Sequence, residues 1–140
     1  MPIEITDTDS GIGNIILGSG IITGGQYINA MTAHLSQDES KLIRYKYSLC
    51  DFSKTAEAGV TIDNIEHIVK LCRKAADINT DAVVALVGEK DGVFNLAKTW
   101  QFLFGDSNWE VQVFRSRENA EAWIKARIQE KHGIDDLSFS

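Results

Sequence analysis

The chain has 140 residues, a formal net charge of −6, and 44% hydrophobic and 24% charged residues. That is the length of one domain, with apolar material for one core. The acidic balance argues against nucleic acid, whose phosphates demand a basic face, and no apolar run approaches the ~20 residues that span a bilayer.

The first residues, "MPIEITDTDSG", lack the basic n-region and apolar h-region of a secretory signal. A cytoplasmic protein is the expectation. Two cysteines, Cys50 and Cys72, are too few for a disulfide scaffold. Both read as small, reduced core residues, with a redox pair as the alternative.

In chain order, "IEIT" (Ile3–Thr6) and "GNIILGS" (Gly13–Ser19) are β-prone runs around the turn formers of "DTDSGI", which predicts a hairpin. In "GGQYINAMTAHLS", Tyr27, Ile28, Met31 and Leu35 recur at helical spacing. "KLIRYKYSLCDF" (Lys41–Phe52) alternates Ile43, Tyr45, Tyr47 and Leu49 with polar residues. This predicts a strand with one face buried and the other partly wet near its start. A polar loop follows, then a helix over about Asp63–Ala76. Thr61 or Asp63 is its expected cap, with Glu66 placed as in a capping box.

"AVVALVG" (Ala82–Gly88) suits a strand buried on both faces. Val93, Leu96, Ala97, Trp100, Leu103 and Phe104 mark a further helix. "WEVQVF" (Trp109–Phe114) alternates as a strand. Ser116 caps a last helix with Ala120, Trp123, Ile124 and Ile128 on its apolar stripe and Gly133 at its end. A single domain over 1–132 and a flexible tail over 133–140 are the expected organisation. The order β-β-α-β-α-β-α-β-α predicts an α/β fold: a mixed five-stranded sheet with about four helices, one antiparallel strand at the edge and parallel crossovers elsewhere.

The motifs with chemical potential are few. "LGSGIITGGQ" (Leu17–Gln26) is glycine-rich between a strand and a helix, where backbone N–H groups can hold an anion. It has neither the P-loop lysine nor G-x-G-x-x-G, so a strand-to-helix turn is the favoured reading. "DTDSG" lacks the later oxygen ligands of a calcium loop. Asp63 and His67 share a helix face without a second histidine nearby, so no metal site is expected there. No nucleophile, base and orienter stand together.

"VGEKDGVFN" follows the most buried strand, and ligands of open α/β sheets sit beyond the carboxyl ends of strands. A ligand site there would draw on Gly24, Gly25, Asp51, Ser53, Glu89 and Asp91. The other reading makes Asp91 a helix cap and Lys90 a solvated charge. Trp100, Phe102, Phe104 and Trp109 crowd one helix end. Phe102 lies roughly 200° round the helix from Trp100, so a core corner leaves apolar surface over. Trp100, Phe102 and Trp109 are therefore candidates for a self-association interface, with a pocket for an apolar ligand as the alternative.

Taken together these phrases resemble the SpoIIAA-like proteins, relatives of the STAS domain (sulfate transporter and anti-sigma factor antagonist). The likeness runs from about Ile3 to Ile128. It rests on the early hairpin and glycine-rich turn, on "YSLCDFS", on "AVVALVGEKDGVFNLAKTW", and on "VQVFRSRENAEAWI". In the last, Phe114, Ala120, Glu121, Trp123 and Ile124 fit. The resemblance implies a non-enzymatic module that binds partner proteins or, in some members, nucleotides.

In the anti-sigma antagonists the second serine of Asp-Ser-Ser-Gly is phosphorylated at a helix start. The matching stretch here is "VTIDNIEH", where Asp63 is followed by Asn64, Ile65 and Glu66. The phosphoswitch is not expected, and Ser53 and Thr61 read as caps.

The expected function is a non-catalytic binding or regulatory module acting through protein contacts, with a homodimer as the expected assembly and no cofactor. The alternative is a binder of a nucleotide or apolar ligand at the strand ends. Least favoured is an enzyme using carboxylates near Asp51 and Asp91.

Overall fold

The computed structural model describes residues 2–8 and 11–139. The elements run β1 (Ile3–Thr8), β2 (Gly13–Thr23), α1 (Gly24–Leu35), α2 (Glu39–Leu42), β3 (Tyr47–Gly59), α3 (Ile62–Ile78), β4 (Val83–Val87), α4 (Asp91–Phe104), β5 (Glu110–Phe114) and α5 (Arg117–His132). The strands form one sheet in the order β1-β2-β3-β4-β5. β1 pairs antiparallel with β2, and every other pairing is parallel. This is the mixed α/β sheet expected from the sequence. The turn expected around Asp9 and Ser10 falls outside the described residues.

Helices cover both faces. On one, α1, α3 and α4 pack Met31, Ile65, Ile68, Cys72, Trp100 and Phe104 against Ile16, Cys50, Val84 and Leu86 of the sheet. On the other, α5 sets Ala120, Ile124 and Ile128 against Tyr47, Leu49, Val83 and Ala85. The run "VVALV" of β4 is buried throughout because it lies between the two layers. The tail expected to be flexible lies along the α5 face. Leu137 is buried there, and Phe139 meets Tyr47 edge-on at 5.4 Å between ring centroids.

Two elements differ from the sequence reading. The strand expected over Lys41–Phe52 begins only at Tyr47. Its first part is α2, capped by Asp38, whose Oδ1 accepts from the Ser40 N–H at 3.1 Å. The alternation of Ile43 and Tyr45 therefore runs on by coincidence: Ile43 is exposed, while Tyr45 is buried and donates its hydroxyl to Asp7 Oδ1 at 2.7 Å. The second difference is the "polar loop". Residues Phe52–Gly59 continue β3, paired with Ser19–Thr23 of β2 across two register shifts. The glycine-rich stretch is thus mostly strand, and Gly20 takes φ +67° at the second shift, a conformation glycine adopts without steric cost.

Several local expectations hold. Ser116 caps α5 and Gly133 ends it in the left-handed conformation. Thr61 caps α3, and the capping-box partner is Asn64 rather than Glu66. Asp91 is not the cap of α4: Lys90 stands there and caps with no side-chain bond. Cys50 and Cys72 are buried and free, and burial pushes the Cys50 thiol up to about 12.

Candidate functional site

β4 ends at Val87, which lies opposite Asp51 of β3. β2 and β3 run on beyond that point as a two-stranded ribbon, to Thr23 and Gly59. The sheet is therefore stepped at the carboxyl end of β4. α4 closes over the step with Val93, Leu96, Ala97 and Trp100, spaced at i, i+3, i+4 and i+7 on one helix face. α1 contributes Tyr27 and α3 contributes Ile65, while the ribbon lays Ile22, Thr55 and Ala58 beneath them. Between these side chains is a crevice of about 50 Å³ with an almost wholly apolar wall.

A second cavity of about 60 Å³ lies deeper on the same face, against Met31, Cys72, Ala75 and Val84. The two share Tyr27, Leu86 and Trp100 as walls. Among the described residues no carboxylate, lysine or arginine lines either one. The polar residues around the deeper cavity are engaged with one another. Ser48 donates to Asn14 at 2.6 Å, and Asn79 Nδ2 donates to the carbonyls of Leu42 and Tyr45 at 2.9 and 2.6 Å.

The crevice differs in this respect. Thr55 Oγ1 and Trp100 Nε1 are buried with no hydrogen-bond partner, in side chains only 1% and 6% exposed. A buried polar group left unpaired costs about 1–3 kcal/mol, and native cores rarely tolerate one without a reason. Burial also pushes the Tyr27 phenol well above its ordinary value, so its ring stands at the junction of the cavities in the neutral form.

The residues proposed from sequence do not converge on this crevice. Gly24 and Gly25 begin α1 at the ribbon tip, roughly 25 Å along the strands from Asp51. Gly24 is small for a packing reason: a Cβ there would lie 2.1 Å from Asn64 Oδ1. Asp51 is buried on the α5 face, where its Oδ1 accepts from the Ser53 N–H at 2.9 Å and its Oδ2 pairs with Arg117 at 3.3 Å. Asp51 and Ser53 are thus together. Glu89 and Asp91 are also together, but elsewhere: Arg115 Nη1 donates to the Glu89 carbonyl at 3.1 Å and to Asp91 Oδ1 at 2.7 Å.

The three interface candidates separate as well. Trp100 is a core residue stacked on Phe104 at 4.8 Å, and Trp109 Nε1 donates to the Asn79 carbonyl at 2.8 Å. Phe102 alone of the three stands on the surface, 82% exposed.

The sequence reading points to the strand ends under the helix after β4, where this crevice lies, but through other residues. Thr55 lies in a stretch whose composition predicts a loop, and its burial depends on the ribbon. Ile65 carries a further lesson. The resemblance sets it where the switch serine stands, and here it is 2% exposed and forms part of the crevice wall.

No family model and no curated protein matches the chain. Among solved structures, it is similar to an uncharacterized protein of the DUF3478 family with a SpoIIAA-like fold from Shewanella loihica PV-4. The TM-score is 0.53 at 18% sequence identity, covering 87% of this chain and 91% of that one. The order of elements, the stepped mixed sheet and this similarity together identify the fold of the chain as SpoIIAA-like.

Proposed function

We propose that the chain is a non-catalytic binding module whose crevice takes a small, mostly apolar molecule. The observation that carries this reading is the apolar crevice at the strand ends with two unpaired buried polar atoms, Thr55 Oγ1 and Trp100 Nε1. A few convergent polar groups in an apolar concavity are the usual composition of a ligand pocket. The SpoIIAA-like fold supports a STAS-type module in general. The wall holds no ionisable pair with which to run acid–base chemistry, and a nucleotide's phosphates would find no cation there.

The test fills the crevice from within. An environment-sensitive apolar dye such as N-phenyl-naphthylamine should bind the native chain and gain fluorescence. Ala97→Trp should abolish the gain while circular dichroism and the melting transition stay native-like. Dye binding that is unchanged in this variant overturns the proposal. Ala58→Leu, on the opposite wall, repeats the test should the first variant not fold.

A second reading, regulation through protein contacts with self-association, is favoured by one observation. Phe102, on the outer face of α4, is a large apolar side chain left in water.

A further inference from the structure

We propose that the crevice and the deeper cavity act as one channel for a linear, neutral molecule: a hydrocarbon chain ending in a single oxygen, such as a long-chain alcohol or ketone. The inference rests on the binding reading above and adds the chemical class of the ligand.

Three observations converge on it. The first is shape. Two small neighbouring cavities that share Tyr27, Leu86 and Trp100 as walls suit a chain reaching through both better than a compact ring system. Tyr27 and Trp100 are the side chains whose rotation would join them.

The second is polarity. Thr55 lines the crevice and not the deeper cavity, whereas Trp100 lines both, so the unpaired hydroxyl marks the crevice end and the indole stands at the junction. Indole N–H is a donor only, whereas a hydroxyl both donates and accepts. A ligand oxygen accepting from Trp100 Nε1 and sharing a hydrogen bond with Thr55 Oγ1 satisfies both. The hydrocarbon chain then extends past Leu86 toward Cys72 and Ala75, where the polar neighbours are already engaged.

The third is charge. No lysine or arginine lines either cavity among the described residues. His34, the one titratable base at the deeper cavity, has its pKa lowered by burial and so stands neutral. An ionised carboxylate would enter without a counter-ion, which is strongly unfavourable in an apolar site. The channel should therefore discriminate against fatty acids in favour of neutral chains of equal length.

The experiment is displacement of N-phenyl-naphthylamine from the purified chain by octanol, dodecanol, octanoate and dodecanoate at neutral pH. Dodecanol should bind more tightly than octanol. Each alcohol should bind at least about tenfold more tightly than its carboxylate. Thr55→Val should weaken dodecanol, and Thr55→Ser, which keeps the hydroxyl, should restore its affinity. Ala75→Leu, which narrows only the deeper cavity, should cost dodecanol and spare octanol.

Carboxylates that bind as tightly as alcohols, or alcohols whose affinity ignores chain length, overturn the inference. If the dye still binds and is lost in Ala97→Trp, the broader binding proposal survives that result. If the dye does not bind at all, both fail. The chain-length series needs only the native chain, so a variant that does not fold leaves the inference falsifiable.

Discussion

Asn79 ties more of the molecule together than any residue proposed from sequence. It ends α3 as its C-cap, and its Nδ2 donates to the carbonyls of Leu42 and Tyr45. Its Oδ1 accepts from the Asp81 N–H at 3.1 Å, and its own carbonyl accepts from Trp109. One side chain thereby fixes the irregular segment between α2 and β3 against the start of β4. Asn79→Ala would leave the Tyr45 carbonyl unpaired, at a cost of about 1–3 kcal/mol, while the Leu42 carbonyl would keep only the Tyr45 N–H at 3.3 Å. We expect a loss of about 1–3 kcal/mol in urea unfolding with an unchanged m-value. A change below about 0.5 kcal/mol would show that water replaces the amide freely. Nothing in "DINTD" marks the asparagine for this role, because its partners are distant in sequence. Thr55 was illegible for the same reason. By contrast, the buried cysteines and the outward Phe102 followed from helix and strand period alone.

At the scale of elements, the last turn of α5 is pinned to the starts of β4 and β5 by charge. Arg127 donates to Glu110 at 2.8 and 2.9 Å, and Lys131 reaches Glu110 at 3.0 Å and also pairs with Asp81. The Arg127 guanidinium holds the Glu110 carboxyl below its ordinary value of 4.5, with Lys131 adding to it, and Lys131 does the same for Asp81. A carboxylate with a lowered folded-state pKa binds fewer protons than it does unfolded. Its stabilisation is complete above the unfolded value and is lost as pH falls through the folded one. Stability should therefore fall below about pH 4.5, and Glu110→Gln should remove part of that loss. Since both carboxylates are partly exposed, the part should be under about 1 kcal/mol at low ionic strength and smaller in high salt. Chemical denaturation of both proteins at neutral and acid pH measures it. Identical acid losses would deny the cluster this role. The elements themselves show where pattern suffices. β4 and α5 were plain because burial and period agree. The ribbon was hidden because Lys54, Ala56, Glu57 and Gly59 are poor strand formers, recruited by pairing with β2.

For the whole molecule, the sheet has two covered faces and one large apolar side chain of α4 left outside. If Phe102 is the contact of a homodimer, light scattering should give a concentration-dependent mass. Phe102→Ser should shift it to the monomer while leaving dye binding intact. A monomer at all concentrations would remove self-association through this face. The two readings of function are separable because Phe102 and the crevice lie on opposite sides of α4. No helix among the described residues is long and apolar enough to cross a membrane.

The sequence by itself determined the fold class: alternating amphipathic periods place each element's apolar face, and strands joined through helices must build a largely parallel sheet. It also pointed to the carboxyl ends of the strands, where the crevice lies. Only the tertiary structure decided which residues line the crevice. A crevice exists where β4 stops and β2 and β3 continue, and that difference in length is set by pairing between chains of contacts far apart in sequence. The same pairing buries Thr55, and the packing of α4 buries Trp100. Their unmet hydrogen bonds come from that juxtaposition, which local periodicity does not encode.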